Sequence, residues 1–424
     1  MKIKELLITL FLLGTCMHVF PQQTFEGTVV KQSYIKLMYK STAKTDESIR
    51  VNIKRLELNK YEILYAWVKE FVQTLDTSLA NPKFKHEATI NKSGILQFED
   101  HAVVQGRAYV YWLQSPNGNI IAGPLALKVR DPKVWWSQEF VEQTTDRLSF
   151  EYPELARKQN LGKTVEGNPI NGLLVGNKDN AVLLIGYTHA GESGAELQLY
   201  TAEQLLLKNK DLMSKVGVII IPVLNIDSRN RLINGVPEYQ RKNSNGVDLN
   251  RNYPTSRTAP ENLKSDPTFN QYPGLSPASE PETQTVIRTI DKYKPKLVLD
   301  YHWMGTITGC NLLTIPVQNT IVNSKLNQFA NCFQKAFEYL SEDIKKIIPV
   351  ITANSAAINI GTTSGYCMTI KNIPSLTIEG NNSLDPIMDR ASSDMATKED
   401  LKIYQEIHYR AIFNILEYLS QNPQ

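Results

Sequence analysis

Ala181-Val182-Leu183-Leu184-Ile185-Gly186-Tyr187-Thr188-His189-Ala190-Gly191-Glu192 is an apolar run that ends in a polar turn. Its first six residues have the uninterrupted apolar character of a strand buried on both faces. Just past the strand end, a histidine and a carboxylate follow three residues apart, close enough to grip one metal ion from a single turn of chain. A histidine three residues before a glutamate arises often by chance. The meaning of this one depends on what the rest of the chain supplies.

Outward from this stretch, strands and helices alternate from about residue 135 onward. Val216-Gly217-Val218-Ile219-Ile220-Ile221-Pro222-Val223 is a second β-branched run, and Leu297-Val298-Leu299-Asp300-Tyr301 and Ser375-Leu376-Thr377-Ile378 are shorter ones. Helical patterns fall at 194–208, 280–292, 322–341 and 399–420, the last with Ile403, Ile407, Ile415 and Leu419 near helical spacing. Alternation of this kind predicts an α/β domain with a largely parallel sheet. Residues from about 25 to 130 differ. Arg107–Trp112 and Leu125–Val129 alternate in polarity around the turn signal Ser115-Pro116-Asn117-Gly118-Asn119. They predict a small all-β, sandwich-like module, either a permanent domain or a removable pro-segment. Arg130-Asp131-Pro132-Lys133 is the candidate boundary.

Three chemically competent side chains share one address in this scheme. His189 follows the strand at 181–186, His302 follows that at 297–301, and Glu379 follows that at 375–378. In open α/β sheets, ligands bind at the carboxyl ends of strands. The chain has only six histidines, and His18, His86, His101 and His408 lie elsewhere and read as surface or packing residues. Two histidines and a carboxylate are a common ligand set for a catalytic Zn2+, with a fourth position left to water. His189, Glu192 and His302 fit that set. Zinc would lower the pKa of bound water and polarise a carbonyl oxygen. A second carboxylate must then take the water proton, and Glu379 is the candidate. The polar loop Gln240–Pro254, flanked by Arg241 and Arg251, offers guanidinium forks suited to carboxylates and oxyanions.

Composition narrows the class. With 424 residues the chain is long enough for two domains, and its net charge of +3 gives no reason to expect nucleic acid or an acidic membrane as partner. Lys2 and Lys4 precede the apolar run Leu6–Gly14, which reads as a secretory signal too short to span a bilayer. The expected organisation is a signal at 1–23, a β-rich domain at 24–132 and a catalytic domain at 133–424, in a secreted or periplasmic protein. A lipoprotein anchor on Cys16 is the alternative, disfavoured by Thr15 before it. Cys310, Cys332 and Cys367 cannot all pair within one chain, and without a CxxC they build no zinc site.

At these residues the sequence resembles the zinc metallocarboxypeptidases of the carboxypeptidase A family, here in a secreted and bacterial form. The resemblance covers roughly 135–420, with its pieces in family order: Leu161–Ile170, His189-Ala190-Gly191-Glu192, Gly246-Val247-Asp248-Leu249-Asn250-Arg251-Asn252 and Tyr272–Thr283. It implies a carboxypeptidase-like fold, a mixed, mainly parallel sheet flanked by helices, and one Zn2+ per chain on His189, Glu192 and His302, with Glu379 as general base. It implies that Arg241 polarises the scissile carbonyl, that Asn250 and Arg251 grip the substrate's terminal carboxylate, and that Asp248 orients His189. Tyr366 either replaces the family's capping tyrosine or lines the pocket. Asn225-Ile226-Asp227-Ser228 departs from the family's Asn-Pro-Asp-Gly, and the uncharged stretch 353–368 favours an apolar or small side chain in the specificity pocket. The implied protein is a monomer with no membrane span. It removes C-terminal residues from peptides or proteins with a free C-terminal carboxylate. A related zinc amidase acting on cell-wall peptides or acylated amino acids is the first alternative. A non-catalytic binding protein on the same scaffold is the second.

Overall fold

The computed structural model describes residues 23–42, 46–58, 69–255, 266–302, 310–313, 320–338, 350–353, 361–380 and 398–422. The signal reading of 1–23, apart from Gln23, and the Cys16 anchor lie outside these residues.

The N-terminal module is antiparallel throughout. β1 (Gln23–Val30), β2 (Tyr34–Ser41) and β5 (Ile95–Asp100) form a three-stranded sheet. β3 (Ile49–Glu57), β4 (His86–Ile90), β6 (Arg107–Gln114) and β7 (Ile120–Val129) form a four-stranded one, in the order β4-β3-β6-β7. Alternate residues of β2 and β3 are buried, as one-sided sheets require. Ile35, Leu37, Val51, Ile53, Tyr109, Tyr111 and Leu127 meet in one core. The expected hairpin at 107–129 is present, and a short helix at Lys69–Thr74 and a 3-10 turn at Thr77–Leu79 are additions to the all-β expectation.

The second domain holds an eight-stranded mixed sheet, ordered β14-β13-β15-β12-β10-β11-β9-β8. Its centre is parallel: β10 (Ala181–Ile185) lies between β11 (Gly217–Ile221) and β12 (Leu297–Tyr301), and β12 pairs with β15 (Ser375–Gly380). β9 (Pro169–Gly176) runs antiparallel beside β11, and β8 (Ala156–Lys163) closes that edge. On the other side β13 (Cys310–Leu313) is antiparallel to β15 and parallel to β14 (Val350–Ala353). Every residue of β10, β11 and β12 is buried, which explains their lack of polar alternation. β11 stops at Ile221 because Pro222 has no N–H to offer the ladder.

Helices Gln138–Glu151, Ala195–Lys208, Pro281–Tyr293, Thr320–Glu338 and Lys398–Gln421 flank this sheet. The last packs on both 195–208 and 320–338. Ser137 caps the first, its Oγ accepting from Phe140 N at 3.2 Å. Lys294, in the left-handed region at φ 48°, ends the 281–293 helix. Cys332 and Cys367 are free and buried.

Candidate metal centre

β10 and β12 are parallel neighbours with Ile185 opposite Asp300. The loops that follow them must therefore leave the sheet side by side. Thr188 Oγ1 donates to Asp300 Oδ1 at 2.8 Å, and Ser193 Oγ donates to the His302 carbonyl, so the two loops are fastened together. Within the first loop, Glu192 N donates to the His189 carbonyl at 3.1 Å and closes the turn that turns both side chains inward.

The result is a compact donor set. His189, Glu192 and His302 present ligand atoms within 4.8 Å of one another, all buried. His189 Nδ1 is 2.9 Å from Glu192 Oε1, His302 Nδ1 is 2.8 Å from Glu192 Oε2, and the two Nδ1 atoms are 3.2 Å apart. The far ring nitrogens face carboxylates: His189 Nε2 lies 2.9 Å from Asp248 Oδ1, and His302 Nε2 lies at the ion-pair distance of 3.1 Å from Asp300 Oδ2, without hydrogen-bond geometry. Both rings thus aim Nδ1 at a common point, the arrangement by which outer partners orient metal-binding histidines. Two imidazoles and a carboxylate with this spacing suit Zn2+.

Opposite charges meet inside the cluster. Burial alone would raise the Glu192 carboxyl, but His189 and His302 against its oxygens overturn this and hold it well below the usual carboxylate range. Burial likewise opposes ionisation of Asp248, and Arg241, then His189, outweigh it. Burial disfavours the charged ring of His302, yet Asp300 and Glu192 push its pKa well above 6.5. Arg241 donates from Nε to Asp248 Oδ2 at 2.7 Å, with 17% of its side chain exposed.

The turn Leu249–Arg251 begins beneath Asp248, whose Oδ1 accepts from Asn250 N at 3.0 Å. Asn250 Oδ1 accepts from Thr363 N at 2.9 Å, and its Nδ2 stands 3.2 Å from His302 Nε2. Arg251 donates from Nε to Gln271 Oε1 at 3.1 Å and from Nη1 to the Asn250 carbonyl at 2.7 Å. Gly361 braces this turn from behind. Its φ is +66°, and a Cβ there would stand 1.9 Å from the Arg251 carbonyl oxygen.

Asp248, Arg241, Asn250 and Arg251 are therefore brought to the His189/Glu192/His302 cluster. Glu379 is the penultimate residue of β15, opposite Asn311, and its side chain lies outside the described residues. Tyr366 is not brought to the cluster. It is 3% exposed in the core, 5.9 Å from the Tyr253 ring, with the Lys371 ammonium 5.5 Å from its ring centroid. The remaining described histidines stay apart. His86 packs on Phe84 and Phe98, His101 stacks on Tyr34, and His408 lies buried in the last helix.

Two neighbours escaped the sequence reading. Asp300 sits two residues before His302, hence on the same face of its strand, a signal that was available. Tyr239, whose phenol donates to Glu192 Oε1, belongs to an irregular loop where no periodicity points inward. Burial, then the Glu192 charge, pushes that phenol well above 10 and keeps it a donor.

An α/β domain carrying a His/Glu/His donor set at the carboxyl ends of its central strands has the construction of a mononuclear zinc hydrolase. The chain belongs to the zinc carboxypeptidase family, whose pattern matches residues 141–383. Human mast cell carboxypeptidase A is 31% identical over 180 residues, covering 37% of this chain and 42% of that protein. The chain thus matches about two fifths of the length of this relative. Bovine thrombin-activatable fibrinolysis inhibitor, solved with a tick carboxypeptidase inhibitor, superposes with a TM-score of 0.56 at 20% identity, over 68% of this chain and 99% of that one. Carboxypeptidase A from Helicoverpa armigera gives 0.54 at 16% identity, over 89% and 98%. These two likenesses establish the carboxypeptidase-like fold.

Proposed function

We propose that this protein is a zinc-dependent carboxypeptidase that hydrolyses the last peptide bond of peptides or proteins with a free C-terminal carboxylate. The observation that carries the reading is the coupling of two sites through one residue. Asp248 holds the ring of a candidate ligand, His189, on one oxygen and the guanidinium of Arg241 on the other, at 2.9 and 2.7 Å.

His189, Glu192 and His302 would hold the ion. When bound, Zn2+ supplies a Lewis acid and an acidified water at its open position. The chain's own groups do the rest. Arg241, fixed by Asp248, presents the remaining N–H groups of its fork to the oxyanion that develops at the scissile carbonyl. Asn250 and Arg251, on the turn beside His302, supply an amide and a guanidinium for the terminal carboxylate. Seating that carboxylate registers the last peptide bond against the cluster, which converts binding into orientation. Glu379, at the end of the strand adjoining β12, takes the water proton and passes it to the leaving amine. Tyr366 serves packing in this reading. The basic and apolar segment at 1–23 supports export, and among the described residues no helix is long and apolar enough to cross a membrane.

The test is zinc content by elemental analysis together with release of C-terminal residues from N-blocked dipeptides. Free-carboxylate substrates should be cleaved and their C-terminal amides spared. Cleavage of muropeptides or acylated amino acids in preference to blocked dipeptides would replace this reading with an amidase.

A further inference from the structure

Tyr239 stands at the cluster with no part in the chemistry proposed above. Its phenol donates to Glu192 Oε1, the oxygen that also faces His189 Nδ1 at 2.9 Å, while Glu192 Oε2 faces His302 Nδ1 at 2.8 Å. The approach of the ring depends on Gly191. A Cβ at that position would lie 2.5 Å from Cδ2 and 2.8 Å from Cε2 of Tyr239, nearer than unbonded carbons come. Gly191, one of the two residues between these candidate ligands, is thus bare, and the Tyr239 ring fills the space a side chain would take. Two residues further on, Arg241 fastens Asp248, which fastens His189. A single loop therefore braces both members of the His189–Glu192 pair, one through Asp248 and the other through a phenol.

We propose that Tyr239 is a positioning residue for Glu192. Its hydroxyl holds one carboxylate oxygen and so fixes how the carboxylate is turned toward His189 and His302. Outer hydrogen-bond partners of metal ligands act in this way, and their loss weakens metal affinity about 10–100-fold. The proposal rests on the metal-centre reading, so its test separates the two.

Tyr239→Phe in the full-length protein keeps the ring on Gly191 and removes only the donor. Zinc affinity is read by competition with a chromophoric chelator, and ligand geometry by the visible spectrum of the Co2+-loaded protein. Tyr239→Phe should bind zinc about 10–100-fold more weakly and shift the cobalt bands, with the metal-free melting temperature unchanged. His302→Ala is the control and should lose zinc binding. If wild type and His302→Ala bind zinc alike, the metal centre itself is misread and the role of Tyr239 falls with it. If His302→Ala loses zinc while Tyr239→Phe matches wild type in affinity and cobalt spectrum, the Tyr239 proposal alone is overturned. A phenolate-to-copper charge-transfer band in the Cu2+-loaded wild type, absent from Tyr239→Phe, also overturns it by making Tyr239 a ligand.

Discussion

Asp248 has no exposed surface and spends each carboxylate oxygen on a different cation-capable partner, His189 and Arg241. Asp248→Asn keeps the shape and removes the charge. The amide can accept from Arg241 or from the histidine ring, but not from both. Zinc affinity should fall about 10–100-fold, and the metal-loaded fraction should lose turnover as Arg241 loosens. Chelator competition and kcat at saturating zinc check the two parts separately. Glu379 makes a sharper case. Glu379→Gln should retain zinc and lower kcat by about 10²–10⁴, the usual worth of a positioned general base. A variant that keeps full activity removes Glu379 from the mechanism. Arg251→Ala should raise KM for free-carboxylate substrates and narrow their advantage over amides, with a smaller effect on kcat.

Among the elements, the two loops after β10 and β12 owe their proximity to parallel pairing, and the 249–253 turn owes its place to Gly361. An alanine at 361 would add left-handed strain of about 1–3 kcal/mol to a direct collision with the Arg251 backbone. Gly361→Ala should therefore lower the melting temperature and raise KM more than it lowers kcat. A second element-level device lies at the start of the 281–293 helix. Glu282 accepts from Val165 N at 3.0 Å and from Asn243 Nδ2 at 3.2 Å, tying the β8–β9 turn to the loop that leads into Asp248. Burial, reinforced by Asp227, pushes its carboxyl up to about 7 against these hydrogen bonds. The folded chain therefore holds a proton that the unfolded chain releases nearer pH 4.5. That contribution to stability is complete below the unfolded value and is lost as pH rises through about 7. Melting temperatures recorded across this window should fall with pH in the wild type, and Glu282→Gln should lack that component of the slope.

In the whole molecule, the N-terminal module grips the α/β part of the chain at the turn 232–236 and, through Gln32, at the Trp135 carbonyl. Val29 N donates to Asn234 O at 2.8 Å, Lys128 N donates to Gly235 O at 2.9 Å, and buried Arg130 donates to the Leu232 and Val236 carbonyls. Inside this turn, Leu232 and Ile233 pack with Trp135 and with Ala190 of the metal-site loop. Arg229 lies between the Trp135 and Tyr187 rings and pairs with Glu196 at 2.9 Å. We read this contact as that of a permanent domain. Arg130→Met should take the side-chain donor from the Val236 carbonyl and one of its donors from the Leu232 carbonyl, at about 1–3 kcal/mol in total, and should lower the melting temperature of the whole chain in one transition. Two separate transitions would argue for a detachable module. By itself the sequence determined the α/β class, the strand addresses of His189, His302 and Glu379, and the His189–Glu192 spacing. These are properties of short segments, set by apolar periodicity and by loops anchored at strand ends. Only the tertiary structure decided that Tyr239 meets Glu192, that Tyr366 packs in the core and that the N-terminal module clasps 232–236. Each of these joins segments with no local pattern in common, and the packing of separate elements, which sequence periodicity does not encode, brings them into reach.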